Sequence, residues 1–389
     1  MAIPIAYNIR NVIQRPITTL ATGSGIAMVV MILIGAFALA SGFQAALVET
    51  GSPANAFIRR TGADTEISSG INREAANILR ALPEVAAGPD GRALVSTDLV
   101  VLTNLDRIGQ AGSSNVPIRG IDPASLSLRP QVKVTAGRMF SPGTDEVMVG
   151  QRVARRFKGL GIGEKVKLGQ QDFTVVGHFT ADGSAFESEI WGDNAVLMPA
   201  LDREGAFQSV TFRMRDPARF AELKQRLEAD PRLGVQVQIE REFYASQSQL
   251  LTGMIRGAGV VITLIMAIGA IFGAMNTMYA AVGQRTREIA VLLTLGFTPF
   301  AIMLSFLFES VFLSLIGGVL GCLLALPING ITTSTTNWAS FSEVAFAFRV
   351  TPLGMAIGLA FAALMGVVGG FLPARQAARQ SLAATLRAA

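Results

Sequence analysis

Residues 282–299 read VGQRTREIAVLLTLGFTP, and residues 306–321 read FLFESVFLSLIGGVLG. A long uncharged run ends just before Arg285, a short segment carries three charges, and a second apolar run begins after Pro299 with Glu309 inside it. This order predicts a membrane-spanning helix, a short amphipathic helix at the membrane surface and a second spanning helix. The stretch therefore indicates a membrane protein.

The composition of the whole chain favours the same class. Half of the residues are hydrophobic, only 16% are charged, and the mean hydropathy is +0.45. Because about 20 apolar residues suffice to cross the hydrocarbon core, we expect spans at residues 17–43, 256–283, 299–326 and 351–372. A signal peptide is the alternative for the first, but its uncharged run is far longer than a signal core of about 7–15 residues. We expect a retained helix.

Basic residues predict the orientation. They cluster before the first span, between the second and third, and after the fourth: Arg10, Arg15, Arg285, Arg287, Arg375, Arg379 and Arg387. If four spans alternate, these sites share one side, and the positive charge marks it as cytoplasmic. We therefore expect an amphipathic helix at 1–16, the segment 284–298 and the tail 373–389 inside, with residues 44–255 and the loop 327–350 outside. Topology also explains the pI near 9.8, so no nucleic-acid partner is expected.

The insert between the first two spans has about 210 residues, enough for one domain with two lobes. At its two ends, predicted strands at 63–68, 93–105, 115–121, 209–214 and 234–240 alternate with helices at 72–82 and 217–229, which indicates one α/β lobe. The middle has short strands at 132–135, 166–168, 173–177 and 194–198 between glycine turns, with one helix at 151–157. Cys322 is the single cysteine, so no intramolecular disulfide is possible.

The opening stretch resembles the MacB/FtsX-type permeases of ATP-binding-cassette systems. It matches their pattern at Arg285, Thr286, Arg287, Glu288, Ile289, Leu295, Gly296, Glu309, Gly317, Gly318 and Gly321, and departs at Gln284 and Ala290, where Glu and Gly are common. The order AGRMF, EVMVG, GIGEKV, FTVVG within the insert is similar to the MacB-type periplasmic core domain. The resemblance covers essentially the whole chain and is more specific in the membrane half. It implies four transmembrane helices and an α+β periplasmic domain, a porter-like α/β lobe plus an inserted β-rich lobe at about 122–199.

The resemblance also implies a function. By this resemblance, the chain would be a bacterial inner-membrane permease subunit of the mechanotransmission type. Such a subunit couples ATP hydrolysis by a partner ATPase to movement in the periplasm. Such a subunit works as a homodimer among membrane lipids with two ATPase copies, often with a periplasmic adaptor and an outer-membrane channel. The load would be hydrophobic, a peptide, a lipid or a lipoprotein. The alternative is an FtsX-like regulator of a periplasmic cell-wall hydrolase, whose insert is usually smaller.

Catalytic motifs are not expected in this chain. Gly159 to Lys165 comes nearest to a phosphate-binding loop, but Val166 stands where Ser or Thr would hold magnesium. ATP and magnesium would then belong to the partner, and this chain needs no cofactor. His178, near Asp182 and Ser184, lacks the sequence context of a hydrolase triad. One Cys and one His give no basis for a metal site. We expect a non-catalytic subunit.

Residues 284–298 are predicted to form the helix that couples to the ATPase. A charged end passes into apolar residues, and a glycine fits the helix C-cap; the coupling residues are Arg285, Thr286, Arg287, Glu288, Ile289, Leu292, Leu295 and Gly296. An ordinary basic loop would explain the arginines by topology alone. It would not explain a helical segment with an internal Arg–Glu pair.

Glu309 lies some eight residues into the third span, roughly 12 Å along the helix. A carboxylate at that depth is costly and faces protein or water. Because no other acid, lysine or histidine is buried there to relay a proton, we interpret it as a packing or hydrogen-bond anchor. Glycines spaced by four predict helix contacts: Gly269 and Gly273, Gly317 and Gly321 with Gly318, and Gly354 and Gly358.

Overall fold

The computed structural model describes residues 16–380, apart from residues 90, 110, 123 and 124. The described chain forms two compact units. The helical unit comprises residues 16–41, 253–331 and 348–380, and the sheet unit comprises residues 42–252 and 332–347. The helix expected at residues 1–16 and the end of the tail expected at residues 373–389 lie outside the described residues.

Four helices among the described residues are long and apolar enough to cross a membrane, judged by length and composition. They are α1 (Pro16–Val48), α7 (Glu240–Gln284), α9 (Pro299–Ala325) and α10 (Pro352–Ala378). Thr298 and Thr351 cap α9 and α10 by accepting from backbone N–H groups of the first turn, and a proline follows each cap. The helix α7 starts 16 residues before the span expected at 256, and α1 continues past residue 43. Both helices therefore run from the helical unit into the sheet unit.

Apolar side chains cover all sides of these helices. Ile26, Val30 and Ile34 of α1 pack with Ala362 and Met365 of α10 in a buried cluster. The helix α7 nevertheless exposes large apolar side chains, among them Leu264, Ile265, Ile268 and Phe272. A helix that is apolar all round belongs in lipid or against other protein.

The sheet unit is built from short helices and strands whose bounds follow. The helices are α2 (Arg73–Arg80), α3 (Ser125–Leu128), α4 (Gln151–Ala154), α5 (Asn194–Ala200) and α6 (Phe220–Ala229). The strands are β1 (Asn55–Arg60), β2 (Ile71–Asn72), β3 (Val95–Asp106), β4 (Ser113–Ile121), β5 (Lys133–Gly137), β6 (Glu146–Gly150), β7 (Lys165–Leu168), β8 (Gln171–Thr180), β9 (Ile190–Asp193), β10 (Ala206–Phe207), β11 (Ser209–Arg213), β12 (Val235–Ile239), β13 (Thr332–Asn337) and β14 (Ser342–Ala347).

Ten of the strands form one sheet in the order β12-β1-β11-β3-β4-β9-β6-β8-β5, with β7 paired to β8. The two ends of the insert meet in it, since β1 pairs antiparallel with both β11 and β12. Buried residues of α2, α6 and these strands form one core cluster, with Leu79 and Leu223 among its members. A second core cluster, with Val149 and Phe173, lies under the strands from β3 to β9.

Two predicted strands are wrong. Residues 63–68 form turns, because Thr65 and Ser68 each accept a hydrogen bond from the other's backbone N–H and so offer the backbone an alternative to a sheet. Residues 194–198 form α5, because the Asp193 side chain accepts from Ala195 N at 3.0 Å and starts a helix. The strand in this region is β9, which ends at the cap residue Asp193.

The segment expected as a plain loop at 327–350 contains a β-hairpin. The strands β13 and β14 pair antiparallel from Thr332–Ala347 to Asn337–Ser342. Although it links two helices of the helical unit, this hairpin packs as part of the sheet unit.

A buried ion network joins distant parts of the sheet unit. The guanidinium of Arg119, 1% exposed, bonds both oxygens of Glu66 at 2.8 and 3.0 Å and both oxygens of Glu189 at 2.7 and 3.0 Å. Arg119 and Arg129 both bond Asp98. Burial would raise the pKa of Asp98, but the charges of Arg129 and Arg119 hold it below its usual value. The sequence pattern gave no sign of this network, because its members lie far apart along the chain.

Candidate functional site

The segment predicted to couple to an ATPase folds as a separate short helix. The helix α7 ends at Gln284, and α8 (Thr286–Thr294) follows after Arg285. Gly296 adopts φ +89°, and the N–H groups of Gly296 and Phe297 donate to the carbonyls of Leu293 and Leu292, both at 3.1 Å. This is a Schellman motif, which ends α8 where glycine alone avoids strain. The helix is shorter than the range 284–298.

One side of α8 is buried and the other is exposed. Ile289 is 1% exposed and packs in a cluster with Met278 of α7, Ile302 and Phe306 of α9, and Ala374 of α10. Leu292 and Leu293 pack partly against the same cluster. Three helices, α7, α9 and α10, thus meet beneath α8, so α8 is seated on the ends of these neighbours in the helical unit.

The opposite side of α8 forms the exposed coupling face, defined here as Arg287, Glu288, Val291, Thr294 and Leu295. The spacing of three or four residues places these side chains along one side of the helix. Val291 is 56% exposed and Leu295 is 64% exposed. A face with two charges at one end and apolar side chains at the other can dock in a groove of a partner protein.

Arg285 does not lie on this face. Its guanidinium Nη1 donates to Glu309 Oε2 at 2.7 Å, and the two side chains are 5% and 8% exposed. The guanidinium carbon also lies 5.9 Å from the ring centre of Phe306. The prediction that Arg285 belongs to the charged face of this helix is therefore wrong, because its charge is directed into the helical unit. The same bond supplies the partner that the carboxylate of Glu309 needs at that depth.

Four of the predicted packing glycines lie at close helix contacts. An added Cβ would come 2.8 Å from the Gly23 carbonyl oxygen at Gly317, and 2.7 Å from the Ala27 carbonyl oxygen at Gly321. At Gly318 it would come 2.7 Å from Ala362, and at Gly358 it would come 3.1 Å from Val30 and Ile34. Any larger side chain at these positions would push α9 or α10 away from its neighbour.

The other predicted glycines behave differently. Gly354 donates its N–H to the cap residue Thr351. A Cβ at Gly269 or Gly273 would meet nothing within 4 Å among the described residues, so the predicted contact is absent from that part of the chain. Both glycines instead line a groove of about 420 Å³ between α1 and α7.

Gly366 and Gly370 of α10 make a closer contact with α9 that was not predicted from the sequence. A Cβ at Gly366 would lie 2.6 Å from Ser314 Oγ, and one at Gly370 would press on Ser310. Ser310 Oγ also donates to the Gly366 carbonyl at 2.8 Å. The spacing of Gly366 and Gly370 by four residues was the available signal.

The single histidine of the chain contacts the backbone of its own domain. His178 Nε2 lies 2.8 Å from the carbonyl oxygen of Leu160. Within the described part of the chain, no group of three or more His, Cys, Asp or Glu side chains could hold a metal ion.

Comparisons with known proteins match the sequence in two parts. The profile of the MacB-like periplasmic core domain matches residues 19–230, more than half of the chain, and the profile of the FtsX-like permease C-terminal matches residues 260–382. The second match contains α8, Arg285 and Glu309.

The curated relatives carry export names. The macrolide export ATP-binding/permease protein MacB of Bordetella avium (strain 197N) is 29% identical over 231 residues, which are 56% of this chain and 34% of that protein. The pyoverdine export ATP-binding/permease protein PvdT of Pseudomonas entomophila (strain L48) is 30% identical over 266 residues, 63% of this chain and 39% of that protein. The chain thus spans between a third and two fifths of the length of these relatives.

The chain is also similar to a solved structure, the periplasmic region of MacB from Actinobacillus actinomycetemcomitans. The aligned residues make up 52% of this chain and 95% of the MacB chain in that structure. Its sequence identity is 13% and its TM-score is 0.38.

Proposed function

Because the chain belongs to the permease family with a MacB-like periplasmic core domain and an FtsX-like C-terminal region, we propose that it is the membrane subunit of an ATP-binding-cassette exporter of the mechanotransmission type. A partner ATPase hydrolyses ATP in the cytoplasm, and α8 receives the resulting movement. The sheet unit then changes conformation in the periplasm and moves the load there. ATP and magnesium are bound by the ATPase.

The exposed coupling face of α8 is the observation that carries this proposal. Arg287 and Glu288 present charge at one end of a helix that also exposes Val291 and Leu295. Beneath it, the buried bond between Arg285 and Glu309 ties the start of α8 to α9. A push on this face would therefore move the ends of the spanning helices as well as α8.

The proposal puts α8 on the cytoplasmic side of the inner membrane and the sheet unit in the periplasm. The arginines on either side of the spans support this orientation. The two separate core clusters of the sheet unit support a porter-like lobe with an inserted β-rich lobe.

The assembly is proposed to be a homodimer with two ATPase copies, surrounded by membrane lipids and joined by a periplasmic adaptor and an outer-membrane channel. The exposed apolar side chains of α7 offer surface for lipid or for the second copy. The load is proposed to be a hydrophobic, peptide, lipid or lipoprotein molecule, and the relatives' names, macrolide and pyoverdine export, support a small-molecule load. These export names do not favour the FtsX-like regulator.

Charge reversal at the coupling face tests the proposal. The tagged chain is purified from its native host, and ATP-binding-cassette proteins that co-purify are identified by mass spectrometry. Arg287→Glu together with Glu288→Arg should weaken ATPase binding by about 30-fold or more, because a buried interface charge pair is worth about 2–5 kcal/mol. ATP hydrolysis by the purified complex should fall in parallel.

The exposed pair Arg219–Glu222 of the sheet unit, with 2.7 Å between its charged atoms, supplies a matched control. Arg219→Glu with Glu222→Arg should leave ATPase binding unchanged. Wild-type binding by the α8 variant would remove the coupling role of Arg287 and Glu288. The absence of any ATP-binding-cassette protein with the wild-type chain would contradict the permease proposal itself.

A further inference from the structure

The hairpin β13–β14 is anchored to the sheet unit by one buried carboxylate. The Glu343 side chain is 3% exposed. Arg107, just after β3, donates to Glu343 Oε2 at 2.5 Å, and Arg156, just after α4, lies 2.9 Å from Glu343 Oε1. Each oxygen therefore has its own arginine, and the two arginines come from different parts of the sheet unit.

Backbone contacts hold the same strand. Ala345 donates its N–H to Ser188 Oγ at 2.9 Å, and its carbonyl accepts from Arg152 at 2.6 Å. At the turn, Asn115 donates to the Phe341 carbonyl at 3.1 Å. A two-stranded hairpin is only marginally stable alone, so these contacts and the Glu343 ion pairs must keep it in place.

The chain crosses between the helical unit and the sheet unit four times. Two crossings lie within α1 and α7, and the other two are the ends of the hairpin, which continue into α9 and α10. We propose that the hairpin is a second mechanical connection, locked to the sheet unit by Glu343 between Arg107 and Arg156, through which α9 and α10 act on the strands β3 and β4. This inference rests on the proposed function and adds a route besides α1 and α7.

The carboxylate is the part of the connection that a small change can remove. Glu343→Gln keeps the side-chain shape but removes the charge that both arginines contact. Arg107 and Arg156 are 31% and 34% exposed, so each can turn to water when the carboxylate is lost. The hairpin should then separate from the sheet unit more often, while the core clusters stay packed.

Hydrogen exchange measures both the anchor and its consequence. In the complex with its ATPase, in lipid nanodiscs, Glu343→Gln should raise backbone exchange within residues 332–347 by about tenfold or more. Adding ATP and vanadate to the wild type should change exchange in β3 and β4, and the variant should lose most of that change while ATPase binding and hydrolysis remain. Glu146→Gln is the control, since Glu146 bonds Arg138 in the same unit without touching the hairpin.

A covalent tether keeps the inference testable if the single variant is unstable. Ser114 Oγ and Glu343 Oε2 both accept from Arg107 Nη2, at 3.2 and 2.5 Å, so Ser114→Cys with Glu343→Cys in a Cys322→Ala background brings two thiols near each other for oxidation to a disulfide. The oxidised form should restore the ATP-dependent change, and reduction should abolish it.

An untethered Glu343→Gln complex that responds as the wild type does, or a disulfide that blocks the response, would overturn the second connection alone. A wild-type complex that binds no ATPase would overturn the proposed function and this inference together.

Discussion

Arg285 and Glu309 form a buried ion pair, with 2.7 Å between Arg285 Nη1 and Glu309 Oε2. Arg285 lies at the break between α7 and α8, and Glu309 lies within α9. The bond therefore fixes where α8 starts relative to the third spanning helix. It also means that two charges in a largely apolar region satisfy each other.

This pair predicts an asymmetric response to substitution. Glu309→Leu should destabilise the chain by about 3–5 kcal/mol, because it leaves the Arg285 charge buried without a partner. Arg285→Met with Glu309→Leu should cost less than either single change, since no charge remains to be buried. Unfolding of the purified chain in detergent measures Arg285→Met, Glu309→Leu and the double variant. If the double variant loses as much free energy of unfolding as the two single variants together, the two residues act independently.

Cysteine labelling tests the orientation. In a Cys322→Ala background, Ser113→Cys should react with a membrane-impermeant thiol reagent in cells whose outer membrane is permeable, whereas Thr294→Cys should react only after lysis. Both positions are exposed, so lack of access within the fold would not explain a negative result. The reverse pattern would contradict the proposed topology.

Glu343 predicts an acid-dependent loss of stability. Burial alone would raise its pKa, but hydrogen bonds from Ser334, Ser114 and Arg107 and the charge of Arg156 lower the pKa below the usual value. A lowered pKa stabilises the folded chain above the unfolded value of about 4.3, and this contribution disappears as pH falls below it.

The difference in thermal unfolding temperature between the wild type and Glu343→Gln should therefore be largest near neutral pH and shrink below about pH 4. The full chain in detergent is the sample to measure. A difference that stays constant with pH would show that the ion pairs with Arg107 and Arg156 do not account for the effect.

Substitution of Arg119, which belongs to the sheet unit, should lower the free energy of unfolding by a large amount. Arg119→Met should destabilise the sheet unit by about 3–5 kcal/mol, because Glu66 and Glu189 would remain buried without their shared partner. Arg119→Lys should fall between, since an ammonium cannot bond both carboxylates in the geometry of a guanidinium. Arg138→Met, which removes an exposed ion pair, should change little. Denaturant unfolding of the full chain compares the three.

The membrane helices and the break between α7 and α8 could be predicted from the sequence. Uncharged runs longer than the hydrocarbon core, the caps Thr298 and Thr351, and Gly296 after α8 are local signals, and local signals are readable along the chain. Strand and helix assignments failed at 63–68 and 194–198, where the side chains of Thr65, Ser68 and Asp193 bond the backbone and outweigh the β-forming composition.

The sequence by itself determined the family pattern, the four apolar helices and the position of α8, because each depends on residues within one or two turns of each other. Only the tertiary structure decided that Arg285 faces Glu309 and not solvent, that Glu343 of an apparent loop holds a hairpin to Arg107 and Arg156, and that Arg119 gathers three carboxylates. Buried charges choose partners by distance in the folded chain, where a low dielectric makes an unpaired charge costly. That choice is made across tens to hundreds of residues, and no local pattern along the chain records it.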